Sequence, residues 1–135
     1  MSIQEKYKLK GTLNISGDKS ISHRSLILGA MSIGQTEIYN LLESADIMST
    51  INILRKLGVK IKKIKGVWIV NGVGTCGFKQ PKQKLNAGNS GTTSRLMFGA
   101  VATNPIKTTF TGDKSLSLRP MSRVTNFFEE IGAKI

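Results

Sequence analysis

Alternation of apolar and polar residues at the start of the chain predicts a strand followed by a helix. Apolar positions alternate with polar ones from Lys8 to Ile15, the pattern of a half-buried strand. Gly17 interrupts this pattern, and Ser20–Met31 then carries apolar residues on most of its turns, as a largely buried helix does. Ser20 is the predicted N-cap of this helix, because its hydroxyl can accept a backbone N–H of the first turn.

The pattern continues with a strand, a second helix and a hairpin. Thr36–Leu42 is typical of a strand, and Ser44 or Asp46 can cap a helix whose apolar residues recur at helical spacing. Two short apolar-rich stretches, Val59–Ile64 and Val67–Val70, predict a hairpin that turns at a Lys-Gly pair. The predicted order of the first half is therefore β-α-β-α-β-β.

The second half repeats part of this order. After a polar connection through Pro81, Leu85 and Asn86 lead into a loop, and residues 96–101 form an apolar helical stretch. Residues 106–111 predict a strand, and Pro120 suits the first turn of a helix that ends at Gly132.

Short matching segments show that the two halves are related. The helix of each half contains a Gly-Ala pair, at Gly29 and at Gly99, and each half later reaches a glycine that ends a helix, at Gly58 and at Gly132. We therefore predict an opening strand over residues 1–16 and two units of about 17–78 and 85–135. The second unit stops where the first continues into its hairpin, so residues 17–135 would form an incomplete α/β domain.

The charge of the chain favours anionic partners. Its 20 Lys and Arg against 8 Asp and Glu leave a net charge of +12, and 39% apolar residues can supply one core. Nucleic acid is one candidate partner, but the densest cationic stretch, Lys60 to Lys65, contains interspersed apolar residues as an exposed strand edge does. With few aromatic residues and no stacking set near the basic ones, small anionic metabolites explain the charge at least as well.

The remaining composition limits cofactor and location. Cys76 is the single cysteine, which excludes an intrachain disulfide and a cysteine-type metal site. The first residues lack the apolar core of a signal peptide, and no run approaches the ~18 apolar residues of a membrane span. We expect a cytoplasmic protein that does not enter a membrane.

One eight-residue motif occurs twice and carries the chemistry of an anion site. Gly17 to Arg24 reads GDKSISHR and Gly112 to Arg119 reads GDKSLSLR. Each copy combines a flexible glycine, hydroxyls beside the N–H groups of a helix start, and an Arg whose planar fork fits a carboxylate or phosphate. The alternative is a pair of solvated basic turns, which two matching copies make less favourable.

A third motif precedes the helix of the second half. Gly88 to Arg95 reads GNSGTTSR, which predicts a backbone nest at a helix N-terminus able to hold an oxyanion. By itself, this stretch is more typical of a Ser/Thr-rich helix cap than of an anion site. A P-loop fits poorly because Asp18 interrupts the required G-K-[ST] run.

Together, and in this order, the three motifs resemble the N-terminal third of the 5-enolpyruvylshikimate-3-phosphate synthase (EPSP synthase) family, and the resemblance covers essentially the whole chain. It implies a fold of two domains, each built from three β-α-β-α-β-β units, with the active site between them. The opening strand would pair with the second domain. It also implies transfer of the enolpyruvyl group of phosphoenolpyruvate to the 5-hydroxyl of shikimate 3-phosphate, with release of phosphate and no cofactor.

The resemblance implies roles for seven residues. Lys19 would contact both substrates next to the reacting centre, while Ser20 and Arg24 would hold shikimate 3-phosphate. The phosphoenolpyruvate pocket would be lined by Asn89, Gly91, Thr92 and Arg119. His23 is less favoured as a general base, and Asp46 is expected to cap a helix or pair with an Arg.

Further implications concern the whole enzyme. It would act on its two small-molecule substrates as a monomer, without nucleic acid, membrane or metal, and it would be a target of the inhibitor glyphosate. Gly91 leaves the pocket uncrowded, which favours sensitivity, whereas Leu96 stands where many relatives have Pro. The proton-transfer residues would lie in later sequence, so we expect no turnover from these 135 residues alone.

Three alternatives remain open. The sister family that transfers enolpyruvate to UDP-N-acetylglucosamine shares the architecture, although its first motif lacks the Ser-His-Arg continuation found here. A non-catalytic phosphosugar-binding domain would keep the anion site without turnover. A basic nucleic-acid-binding module is supported by the net charge alone.

Overall fold

The computed structural model describes residues 10–135 and confirms a mixed α/β fold. Over this range the chain forms five helices and five strands. In chain order they are α1 (Lys19–Met31), β1 (Ile33–Ile38), α2 (Ala45–Lys56), β2 (Lys60–Ile64), β3 (Val67–Val73), β4 (Leu85–Asn86), α3 (Gly91–Ala102), β5 (Phe110–Thr111), α4 (Lys114–Ser117) and α5 (Ser122–Glu130).

The first unit contains a three-stranded antiparallel sheet in the order β1-β3-β2. The predicted hairpin between β2 and β3 is confirmed. Lys65 and Gly66 both have positive φ, at 47° and 84°, as the two central residues of a type I′ turn require. The lysine-rich stretch lies in β2, at an edge of this sheet, as its pattern predicted.

Helices α1 and α2 cover one face of the sheet and enclose the core. Ile47, Ile51 and Leu54 of α2 are fully buried, together with Leu26 of α1 and Val70 of β3. The end of α1 crosses β3 so closely that a Cβ on Gly72 would lie 2.2 Å from the carbonyl oxygen of Ser32. Only glycine fits at that crossing.

The second unit is built around a short parallel pair of strands, β4 and β5. Helix α3 follows β4 and packs on α1 and α2, so that Met97, Ala100 and Val101 join the same core as the first unit. The short helix α4 follows β5 and contributes the buried Leu116. Helix α5 contacts α3 and is followed by Gly132, whose φ of 95° ends it as predicted.

Two helices begin earlier than the pattern predicted. Helix α1 starts at Lys19, because the carboxylate of Asp18 accepts the backbone N–H of Ile21 at 2.7 Å. The prediction of Ser20 as N-cap is therefore wrong, and Ser20 lies in the first turn. Helix α3 starts at Gly91, five residues before the apolar stretch, with Ser90 as its N-cap.

The strand predictions were correct in position but not in extent. Strand β1 starts before Thr36 and ends at Ile38, because Asn40 turns the chain with a φ of 52°. Strand β5 keeps only the last two residues of 106–111. The amide oxygen and nitrogen of Gln80 bond the backbone N–H and C=O of Lys107, at 2.9 and 2.6 Å, in place of a neighbouring strand.

The opening strand remains a prediction. Its first residues lie outside the described range, and residues 10–18 form neither helix nor strand. No helix of the described residues is long and apolar enough to cross a membrane.

Candidate active site

The parallel strands β4 and β5 bring two of the three motifs together. Carboxyl ends of parallel strands lie at the same edge, so the loops that follow them are neighbours. The loop after β4 and the GDKS loop after β5 are joined directly, because the N–H of Asp113 donates to the carbonyl of Gly88 at 2.9 Å. The beginnings of α3 and α4 therefore face one region.

A polar network links the side chains of these two loops. The amide nitrogen of Asn89 donates to Asp113 Oδ2 at 2.6 Å, and its oxygen accepts from Nη2 of Arg119 at 2.8 Å. The other carboxylate oxygen of Asp113 caps α4 by accepting the N–H of Leu116 at 2.7 Å. The hydrogen bond from Leu116, and to a smaller extent that from Asn89, hold the pKa of Asp113 below its usual value.

Two guanidinium groups converge on the first residue of α3. A Cβ placed on Gly91 would lie 2.6 Å from Nη1 of Arg95 and 3.3 Å from Nη1 of Arg119. Arg95 is held from the other side by the carbonyl of Pro120, which accepts from Nη2 at 3.4 Å. Two cations thus lie beside a helix N-terminus, whose own partial charge is positive.

The first motif lies at the start of α1. Lys19 forms an ion pair with Asp46 of α2, with half of the lysine side chain exposed. The sequence predicted that Asp46 caps a helix or pairs with an Arg, and this is wrong. Ser44 caps α2, and the carboxylate of Asp46 pairs with Lys19. Ser20 and Arg24 are exposed, and their side chains bond to no residue in the range 10–135.

Helix α2 connects the first motif to the other two. Asp46 pairs with Lys19 through its carboxylate, and its carbonyl accepts from the hydroxyl of Thr93 in α3 at 3.2 Å. One turn later, Ser49 lies beside Gly88, where an added Cβ would be 3.2 Å from the serine oxygen. The structure therefore brings Asn89, Gly91 and Arg119 together and joins Lys19 to them through α2.

Sequence reasoning missed a row of buried polar groups beneath this surface. His23, Thr50, Thr93 and Ser90 are almost completely buried and hydrogen-bonded in that order. Burial lowers the pKa of His23; Asp46 opposes the effect and Lys19 adds to it. The available signal was Ser90 directly before a helical stretch, but nothing in the pattern indicated that Thr50 faces Thr93 across two helices.

Other parts of the site stay open to solvent. Thr92 and Lys114 are exposed. An open surface hollow of about 770 Å³ is lined by Asp113, Lys114, Ser115, Leu118, Arg119 and Pro120. Among residues 10–135, no three His, Cys, Asp or Glu side chains are grouped closely enough to hold a metal ion.

Residues 3–135 match the family model described as EPSP synthase (3-phosphoshikimate 1-carboxyvinyltransferase). The chain belongs to the EPSP synthase family. The resemblance seen in the three motifs is thereby confirmed over nearly the whole chain.

Individual members of the EPSP synthase family agree with this assignment. The chain is 48% identical over 136 residues to the 3-phosphoshikimate 1-carboxyvinyltransferase of Paracoccus denitrificans, covering 100% of this chain and 31% of the relative. It is 52% identical over 128 residues to the enzyme of the same name from a Bradyrhizobium species, covering 94% of this chain and 29% of the relative.

Solved structures of EPSP synthases agree as well. An EPSP synthase from Acinetobacter baumannii matches with a TM-score of 0.88 at 40% identity, over 93% of this chain and 28% of that chain. The chain thus spans about a third of the length of the EPSP synthases it matches.

Proposed function

We propose that this chain forms part of a 3-phosphoshikimate 1-carboxyvinyltransferase. In this reaction the 5-hydroxyl of shikimate 3-phosphate adds to C2 of phosphoenolpyruvate while C3 takes up a proton. Loss of phosphate and of a C3 proton from the tetrahedral adduct then leaves the enolpyruvyl ether. The family match and the names of the relatives support this proposal.

The observation that carries the proposal is the group of cations at the start of α3. Arg95 and Arg119 lie beside Gly91, and Asn89 orients Arg119 through a 2.8 Å hydrogen bond. A phosphate there would meet two planar cationic forks and the free N–H groups of the helix. We assign phosphoenolpyruvate to this pocket, with Asn89, Gly91 and Thr92 lining it and Arg119 binding its phosphate. Arg95 is assigned a positioning role.

We assign shikimate 3-phosphate to the exposed face of α1. Ser20 and Arg24 are one turn apart, and both have side chains free of other described residues, so both can reach one ligand. Lys19 is assigned to both substrates and is ion-paired with Asp46 in this structure. Binding would require the ammonium to exchange or share that carboxylate.

The chemistry supplied by this chain is electrostatic. Two anions that repel each other must be aligned, and negative charge must be stabilised on the departing phosphate. Fixed cations perform both tasks, since they need no reorganisation during the reaction. On this proposal the whole enzyme is a cytoplasmic monomer without a cofactor, and it is inhibited by glyphosate, with Gly91 leaving room for the inhibitor.

The test uses a chimera in which this chain replaces the matching stretch of the Paracoccus denitrificans relative. Phosphate release is measured with phosphoenolpyruvate and either shikimate 3-phosphate or UDP-N-acetylglucosamine. Release only with shikimate 3-phosphate is expected. Release only with the UDP-sugar would assign the chain to the sister activity, and a folded chimera without release would contradict an enzymatic role.

A pair of variants tests the assignment of Arg119. Arg119→Gln should lower kcat/KM for phosphoenolpyruvate by about 100-fold or more, because a fixed charge-assisted donor is lost. Lys114→Gln removes an exposed cation from the same loop and should change this ratio less than about twofold. Equal effects of the two substitutions would show that only the net charge of the loop matters.

A further inference from the structure

A continuous row of hydrogen bonds crosses the interior from α1 to the start of α3. His23 Nδ1 lies 2.9 Å from Thr50 Oγ1, which lies 2.9 Å from Thr93 Oγ1, which lies 2.8 Å from Ser90 Oγ. The exposed fraction is 0% for the first three residues and 1% for Ser90. Three helices supply its members: α1 gives His23, α2 gives Thr50, and α3 with its cap gives Thr93 and Ser90.

This row ends inside the loop assigned to phosphoenolpyruvate. Ser90 Oγ also accepts the backbone N–H of Thr93 at 3.1 Å and so caps α3. Its neighbours in sequence are Asn89 and Gly91, so any displacement of Ser90 moves both. A buried polar row with every hydroxyl paired is rigid, because breaking one bond leaves a buried group unsatisfied.

Counting protons assigns the tautomer of His23. The carbonyl of Asp46 lies 3.4 Å from Thr50 Oγ1 and 3.2 Å from Thr93 Oγ1, so it can accept a hydroxyl proton. The Nε2 atom of His23 is buried without a partner among the described residues. A proton on Nε2 would therefore be an unpaired buried donor, whereas a proton on Nδ1 is donated to Thr50.

We propose that His23 is a positioning residue, whose Nδ1–H holds Thr50 and Thr93 and thereby sets Ser90 and the phosphoenolpyruvate loop between Asn89 and Thr92. The same residue ties this loop to the helix that carries Lys19. His23 follows Lys19 by one turn of α1, and Thr50 follows Asp46 by one turn of α2, so the ion pair and the hydrogen bond form two successive links between the helices. Only the predicted effect on KM rests on the proposed function; the role of His23 in holding the loop does not.

The kinetic test uses the chimera described above. His23→Leu removes the Nδ1–H and should raise KM for phosphoenolpyruvate about tenfold, the effect of one lost buried hydrogen bond. KM for shikimate 3-phosphate should change less than about twofold. His23→Asn places an amide N–H close to the position of Nδ1 and should restore KM to within about threefold of the parent.

Matched variants separate positioning from general loosening of the core. Thr93→Val breaks the row between Thr50 and Ser90 and should reproduce the effect of His23→Leu, and the double variant should be no worse than either. Ser25→Ala removes a hydroxyl of α1 that, among residues 10–135, bonds only the Ile21 carbonyl, and it should leave both KM values unchanged. Additive effects of His23→Leu and Thr93→Val, or equal rises in both KM values, would overturn the proposal.

A second measurement needs no activity. The chain contains a single histidine, so its ¹⁵N resonances in the 135-residue chain are unambiguous. The expected spectrum shows a neutral ring protonated on Nδ1 at pH 6.5. Protonation on Nε2, or an averaged spectrum that titrates at the ordinary pKa of histidine, would contradict the proposal. Failure of the chimera to turn over would instead concern the proposed function.

Discussion

At the scale of single residues, Gly91 shows how a missing side chain shapes the site. The backbone of Gly91 has no positive φ, so another residue could adopt its conformation. What excludes a larger residue is the space, since Arg95 lies where a Cβ would be. The glycine therefore allows the guanidinium to approach the helix start.

We predict that Gly91→Ala separates affinity from stability. The end of the Arg95 side chain can rotate away, so the free energy of unfolding should change by less than about 1 kcal/mol. KM for phosphoenolpyruvate in the chimera should rise at least tenfold, because the cation moves and a methyl group enters the pocket. Gly99→Ala is the matched control in the same helix, where the added Cβ lies in ordinary contact with the Phe128 ring at 3.4 Å. An unchanged KM for Gly91→Ala would contradict the prediction.

His23 makes the stability of the chain depend on pH. In the folded state, burial lowers the pKa of His23, and the charged groups that face its ring are Lys19 of α1 and Asp46 of α2. The unfolded chain keeps the ordinary histidine pKa of 6.5. Below that pH the unfolded state binds more protons than the folded state, so stability falls as the pH falls. The slope for one proton is at most about 1.4 kcal/mol per pH unit.

Urea unfolding of the chain between pH 7.5 and 5 measures this effect, with His23→Asn as a non-titrating control. The parent should lose stability relative to the control as the pH drops below about 6.5. The carboxylates with lowered pKa, Glu43 and Asp113, act only at lower pH and affect both proteins alike. Parallel curves for parent and control would show that His23 titrates freely.

The sequence predicted which residues carry charge to the surface but not how they pair. The resemblance selected Asn89, Gly91 and Arg119, and the structure places them in contact. Their roles toward substrates stay predictions. The partnership of Lys19 with Asp46 depends on how two helices pack, which single-residue patterns do not contain.

At the scale of elements, the two GDKS copies begin two helices in the same way. The aspartate, not the serine, caps each one: Asp18 accepts from Ile21 and Asp113 from Leu116, both at 2.7 Å. The repeated motif is thus first of all a repeated helix start. The lysine and serine that follow are left in the first turn, where they remain accessible.

We predict that Asp18→Ala lowers the free energy of unfolding by about 1 kcal/mol, the usual cost of losing an N-cap. Ser20→Ala should change it by less than about 0.5 kcal/mol, because its hydroxyl bonds no described residue. Asp18→Asn keeps an accepting oxygen and should lose less than Asp18→Ala. Chemical denaturation of the three variants measures these differences, and a larger loss for Ser20→Ala would restore serine as the cap.

Element boundaries were the weakest part of the sequence reasoning. Periodicity located both helices of the first unit and the hairpin, since these have long apolar faces. It predicted a longer β5 than the structure contains. The backbone of Lys107 bonds the side chain of Gln80 and not a strand, and periodicity gives no information on this partner 27 positions away. It also missed the first turn of α3, which is polar and contributes to the site instead of the core.

At the scale of the whole molecule, the two units share one core, but the first has a three-stranded antiparallel sheet and the second only the two-stranded pair of β4 and β5 within the described residues. Repetition in the sequence predicted this difference, because the segment matching the hairpin of the first unit is absent from residues 85–135. The relatives are about three times as long as this chain. The assignment of the remaining catalytic groups to the rest of such an enzyme stays a prediction.

We predict that the 135-residue chain alone releases no phosphate from phosphoenolpyruvate and shikimate 3-phosphate. Its cations are exposed and can bind anions weakly, but on the proposed function the proton transfers require groups outside this chain. The measurement is phosphate release by the chain, compared with its Lys19→Ala variant at the same concentration. A rate above that of the variant would show that these residues suffice for turnover.

The position of β2 at the edge of its sheet affects how separate molecules meet. An edge strand exposes backbone N–H and C=O groups with which a strand of another molecule can pair. Lys60 and Lys62 are exposed along this strand, so two such edges repel each other when they approach. Part of the net charge of +12 therefore protects the chain against self-association into continuous sheets. The basicity that first suggested a binding partner acts at this edge to keep neighbours apart.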